Sequence, residues 1–117
     1  MKKRYMASVI TVTILLALLL SSTALAFTIS KSTIVVTGLV GKSSSQTSSN
    51  EYMDYIATQT RLYNNDTLKN YNHKEYWGHS VCGPISAYWT GIGTKTARGQ
   101  HWWTQGGTGG TAYTYDS

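Results

Sequence analysis

Apolar and polar positions change rhythm several times along the chain. From Ala7 to Leu20 most positions are apolar, without exception from Ile14 to Leu20, with Lys2, Lys3 and Arg4 ahead and polar Ser21-Ser22-Thr23, then Ala24-Leu25-Ala26, behind. A basic start, an apolar stretch and a small-residue site predict an N-terminal signal helix over residues 1–26, cleaved before Phe27. An uncleaved anchor is the alternative, because Ala7 to Ala26 is about long enough to span a bilayer. Ser8, Thr11 and Thr13 weaken that alternative. The runs then shorten. "TIVVTGLV", Thr33 to Val40, is a β-branched run that predicts a strand. "GKSSSQTSSN", Gly41 to Asn50, has almost no apolar residue and predicts a flexible linker or long loop. The expected organisation is a signal peptide over 1–26, an N-terminal strand and Ser-rich linker over 27–50, and one small β domain over 51–117.

Further along, "YMDYIATQTRLY", Tyr52 to Tyr63, alternates imperfectly. Its Thr and Tyr content and the stop at Asn64-Asn65-Asp66 favour a strand, with a short amphipathic helix as the alternative. Residues 67–76 are ambiguous, and Trp77 to Val81 is strand-like. "ISAYWTG" alternates cleanly: Ile85, Ala87 and Trp89 on one side, Ser86, Tyr88 and Thr90 on the other. Gly91 to Gly93 marks a turn, and Lys95 to Gly99 reads as a basic polar connection. "QHWWT" and "TAYTYD" are the last two expected strands, joined by a hairpin loop at Gly106 to Gly110.

Composition agrees with this rhythm. Eleven glycines, nine tyrosines and many threonines contrast with only three leucines past residue 26: Leu39, Leu62 and Leu68. β-Branched and aromatic residues favour strands, whereas helices want Leu, Ala, Glu and Lys. The expected fold class is all-β: a small antiparallel β-sandwich or meander in which Tyr and Trp supply much of the buried area.

Charge and titratable residues narrow the chemistry. The formal +5 of the full chain includes Lys2, Lys3 and Arg4; without them seven basic residues face five acidic ones, a net +2. That balance removes the main support for nucleic-acid binding, which needs a basic patch rather than a basic leader. Gly78-His79-Ser80-Val81-Cys82 falls one residue short of the serine elbow G-x-S-x-G, and only His101 and Asp116 follow it, in the wrong order. Cys82-Gly83-Pro84 is similar to the start of papain-like peptidases, whose thiol is activated at a helix N-terminus. Here "ISAYW" alternates as a strand, and only 18 residues separate Cys82 from His101. Cys82 is the single cysteine, which excludes an intrachain disulfide, and a buried apolar role comes first for it. His73 and His79 stand six apart, a spacing that fits no short zinc motif. No catalytic residue, metal or cofactor is therefore expected. The pairs Tyr88-Trp89 and Trp102-Trp103 put neighbouring rings on opposite faces of a strand. One of each pair is left for an interface, where aromatic rings stack on sugars or sit at lipid headgroups.

"NYNHKEYWGHSV", "KTARGQHWWT", the Gly-rich loop and the closing "AYTY" together resemble the lactococcin 972 type of bacteriocin. The matching residues are Asn70, Tyr71, His73, His79, Ser80, Val81, Arg98, Gly99, Trp102, Ala112, Tyr113 and Tyr115, and the likeness covers about residues 68–117. It implies a secreted, disulfide-free β-sandwich that acts on related Gram-positive cells through the cell-wall precursor lipid II. The expectation is thus a secreted, non-enzymatic, bacteriocin-like protein that binds a cell-envelope component, with a membrane surface as a further candidate partner. His73, His79, Arg98, Trp102, Trp103, Tyr113 and Tyr115 are its expected ligand-binding residues. An exported envelope, matrix or adhesion protein is the second reading, and a small cysteine hydrolase the third.

Overall fold

The computed structural model describes residues 27–117; the expected signal helix lies outside them. Seven strands follow one another: β1 (Ile29–Val36), β2 (Val40–Met53), β3 (Tyr55–Asn64), β4 (Thr67–Tyr76), β5 (His79–Thr90), β6 (Lys95–Gln105) and β7 (Thr108–Asp116). They form two antiparallel sheets, ordered β1-β2-β5 and β4-β3-β6-β7. The chain passes between sheets at Asp54, at Trp77-Gly78 and at Gly91 to Thr94. Two reversals are two-residue turns with positive φ at both positions, Asn65-Asp66 and Gly106-Gly107. That geometry matches the twist of the strands it joins.

Several expectations change. Gly41 to Asn50 is no linker: it lies in β2, which runs unbroken across residue 50 to Met53. The expected strand Thr33–Val40 contains a reversal at Thr37 to Leu39. The basic connection Lys95 to Gly99 is the first half of β6, and the ambiguous residues 67–76 are β4. Tyr52 to Tyr63 is strand apart from the crossing at Asp54, so the helical alternative fails.

The hidden strand has a physical reason. Ser43, Ser45 and Thr47 alternate with more exposed neighbours and are fully buried against the second sheet. Their hydroxyls are all partnered there. Ser45 Oγ donates to Thr60 Oγ1 at 2.9 Å, Thr60 Oγ1 to Ser43 Oγ at 3.0 Å, and Thr47 Oγ1 bonds Thr58 Oγ1 at 2.7 Å. A buried polar group is tolerated when its hydrogen bonds are made. Half of this interior is therefore a hydroxyl lattice, and the apolar cluster of Met53, Ile56 and Cys82 occupies one end of it.

His101 sits at the middle of the lattice, fully buried. Nδ1 meets Thr47 Oγ1 and Nε2 meets Thr114 Oγ1, each at 2.7 Å. Burial, with a smaller contribution from Lys31, lowers its pKa to about 4, so the ring is neutral at pH 7. Gly99 makes the space: a Cβ there would collide with the hydroxyls of Thr33 and Thr114 and with His101 Nε2.

The seams between the sheets are closed by side chains. Asn70 Nδ2 donates to Tyr88 O at 2.8 Å and Asn72 Nδ2 to Ser86 O at 3.1 Å, joining β4 to β5. On the other side Val35 N donates to Asp116 Oδ2 at 2.9 Å, and Thr33 bonds Thr114. Unpaired strand edges invite association with other chains, and these bonds occupy part of them.

Candidate functional site

The outer face of β4-β3-β6-β7 collects polar and aromatic side chains in cross-strand rows. Directly opposed residues of an antiparallel pair point to the same side of a sheet. Thr58, Thr60, Ala97, Gly99 and His101 face inward, so the residues between them face out. One row runs Tyr71, Arg61, Arg98 and Tyr115; the next runs His73, Gln59, Gln100 and Tyr113; a third runs Glu75, Ala57, Trp102 and Thr111. Strands about 4.8 Å apart make this a platform roughly 15 Å wide.

Five of the seven expected binding residues come together here: His73, Arg98, Trp102, Tyr113 and Tyr115. The His73 ring meets Trp102 edge-on at 5.6 Å and 74°. Arg98 lies 4.9 Å over the Tyr63 ring, and Gln100 Nε2 donates to Tyr113 OH at 3.3 Å. Tyr113 and Tyr115 are exposed on the edge strand. The other two lie elsewhere. Trp103 points between the sheets and packs on the Met53, Ile56 and Cys82 cluster, with Lys31 Nζ 5.8 Å from its ring. His79 begins β5 and stacks on Tyr76 at 4.8 Å, beside an open groove of about 450 Å³ lined also by Lys74, Val81 and Pro84. Parity separates Trp102 from Trp103, and no composition signal says which of an adjacent pair faces out.

Sequence reasoning missed Gln59, Arg61 and Tyr63. Their signal was present: in "TQTRLY" they alternate with the buried Thr58, Thr60 and Leu62. Threonine at the buried positions obscured it, because Thr reads as polar.

Charge is divided across the platform. At one end Tyr55 OH donates to Glu75 Oε2 at 2.8 Å, and His73 Nε2 lies 3.8 Å from the same oxygen. Burial, and then the bond to Glu75, push the Tyr55 phenol up to about 12. Two rows away Arg61 and Arg98 stand directly opposite each other, with tyrosines on both flanks and no carboxylate in the row. The single close approach of a basic and an acidic side chain among the described residues is His73–Glu75. Like charges directly opposed on neighbouring strands destabilise a sheet. The pair is suited to an anion that reaches both guanidiniums, with tyrosine faces available to sugar or other flat groups.

The nucleophile candidates have different surroundings. Cys82 lies on a strand, fully buried, and donates Sγ–H to Lys74 O at 3.2 Å. Burial pushes its thiol pKa up, opposite to the activation a nucleophile needs. Both nitrogens of His101 are engaged by threonines. Among the described residues no group of three or more His, Cys, Asp or Glu is placed to hold a metal ion.

Fold and site together define a two-sheet all-β protein with an arginine–aromatic platform on one outer face. Compared with protein-family models, curated proteins and solved structures, the chain matches none.

Proposed function

We propose that this chain is a secreted, non-catalytic binding protein whose platform holds an anionic, sugar-bearing component of the cell envelope. The observation that carries the reading is the Tyr71, Arg61, Arg98, Tyr115 row: two opposed arginines without an acid, framed by exposed rings. Guanidiniums bind phosphate bidentately, while tyrosine faces cover sugar rings. A phosphate-linked cell-wall precursor presents both groups. The resemblance to lactococcin 972-type bacteriocins narrows the ligand to lipid II and the action to antagonism of Gram-positive relatives. In that mechanism the protein sequesters the precursor and breaks no bond.

The test is a titration of the protein with lipid II and, in parallel, with intact cell wall, using wild type and Arg61→Ala/Arg98→Ala. Saturable lipid II binding that weakens by about a hundredfold or more in the double variant supports the reading, since each of the two lost charge-assisted contacts is worth about 1.5–3 kcal/mol. Equal binding by both proteins would sink it. Binding to wall without killing of an indicator strain would instead favour an adhesion or matrix protein.

A further inference from the structure

At one end of the molecule the β1–β2 and β5–β6 turns lie side by side, joined by a bond from Gly91 N to Leu39 O at 2.9 Å. The side chains they project are aliphatic. Ile92 is 89 % exposed and Leu39 61 %, with Val36 and Val40 also exposed. The turns enclose a shallow depression of about 220 Å³ lined by Gly38, Leu39, Gly91, Ile92 and Gly93. Behind this tip stand Tyr88 and Trp89. Lys42 Nζ is 5.6 Å from the Tyr88 ring, and Lys69 and Lys95 lie 5.0 and 5.2 Å from Trp89. Lys95 is only 1 % exposed, and its buried Nζ donates to the carbonyls of Gly91 and Gly93 beneath the Ile92 turn, whereas Lys42 is half-buried and Lys69 exposed. Asp66 and Asp116 are the carboxylate side chains at this end, and Asp116 is engaged by the amides of Val35 and Ser117.

Aliphatic tip, aromatic belt and ammonium girdle occur here in the order of depth found where proteins enter a bilayer interface. We infer that this end docks on an anionic lipid surface: Leu39 and Ile92 enter the boundary between headgroups and acyl chains. Tyr88, Trp89, Lys42 and Lys69 then lie at headgroup level. The lysines select the occupant. A second copy meeting tip to tip would set Lys42 and Lys69 against their own kind, whereas acidic headgroups neutralise them. The two narrow turns also present far less than the roughly 800 Å² per partner of a stable protein interface. No helix among the described residues is long and apolar enough to cross a membrane. The inference stands on a different surface from the platform and does not depend on what the platform binds.

The test uses the full chain with a fluorophore that reports polarity. Cys82 is buried and stays unlabelled, so Thr94→Cys places the label beside the tip with Leu39 and Ile92 intact. Thr108→Cys places it at the opposite end. Vesicles of phosphatidylcholine with phosphatidylglycerol should blue-shift the label at 94 and expose it to lipid-borne quenchers, leaving the label at 108 unchanged. Adding Leu39→Glu and Ile92→Glu should reduce the response at 94 by about tenfold or more. Whatever else in the chain touches a vesicle, the label at 94 reads the tip. No response at 94, an equal response at 108, or an equal response to phosphatidylcholine alone would overturn the inference. So would a blue-shift that grows with protein concentration without lipid, which assigns the tip to a second copy.

Discussion

His101 is where a single residue bears most on the rest of the structure. The neutral ring serves two threonines from opposite sheets, Thr47 and Thr114, and its pKa falls to about 4 because burial disfavours the cation. A histidine in the unfolded chain titrates near 6.5, so between these values the unfolded state binds more protons and stability rises with pH. The contribution is complete above pH 6.5 and is lost as pH falls to 4. It amounts to about 3 kcal/mol. Urea denaturation at pH 7.5 and at pH 4 should show that drop, and His101→Gln should be less stable at neutral pH but flatter between the two. Gly99 offers a second test. Gly99→Ala drives a methyl into the Thr33, Thr114 and His101 contacts, and overpacking of this kind costs about 1–3 kcal/mol. An unchanged melting temperature would show that the lattice can shift aside.

Among the elements, β4 and β5 test how the sheets are held together. Their seam depends on Asn70 and Asn72 donating to backbone carbonyls of β5. Asn70→Ala and Asn72→Ala should each cost about 1 kcal/mol. Hydrogen exchange should then quicken along the β4–β5 side and not along β1–β7. Strands such as Ile85 to Thr90 were legible because aliphatic and aromatic residues alternate with polar ones. β2 was not, because its inward positions are Ser43, Ser45 and Thr47, and periodicity of hydrophobicity is silent when hydroxyls line the interior. The amides of Ser43 to Ser48 should therefore be protected from exchange like those of β3, the opposite of linker behaviour. The candidate site was readable as residue types: Arg98, Trp102, Tyr113 and Tyr115 stand out in the C-terminal third. Their shared face was not readable, because it depends on the pairing of β6 with β3 and β7, and that register also brings in Arg61.

Across the whole molecule, charge separates along the strand direction. Glu51, Asp54 and Glu75 lie with Lys31 and Lys74 toward the end that holds the Gly106-Gly107 turn, whereas Lys42, Lys69 and Lys95 lie with Asp66 and Asp116 toward the opposite tip. Arg61 and Arg98 stand on the tip side of the platform's centre. The net +2 of residues 27–117 thus divides into −1 at one end and +3 on the side of the tip and the arginine row, a modest polarity whose field turns that side toward an anionic surface during approach. Orientation of this kind appears in association rates more than in affinity at high salt. The rate of association with vesicles rich in phosphatidylglycerol should fall steeply as ionic strength rises through the physiological range, where the screening length is about 8 Å. Lys69→Glu, which reverses a charge at the tip, should slow association by about tenfold at low salt. Lys74→Glu, which reverses one on the acidic side, makes the same change in net charge and should alter the rate far less. Equal slowing by both variants would mean that net charge alone sets the encounter and that the polarity of the fold has no part in it.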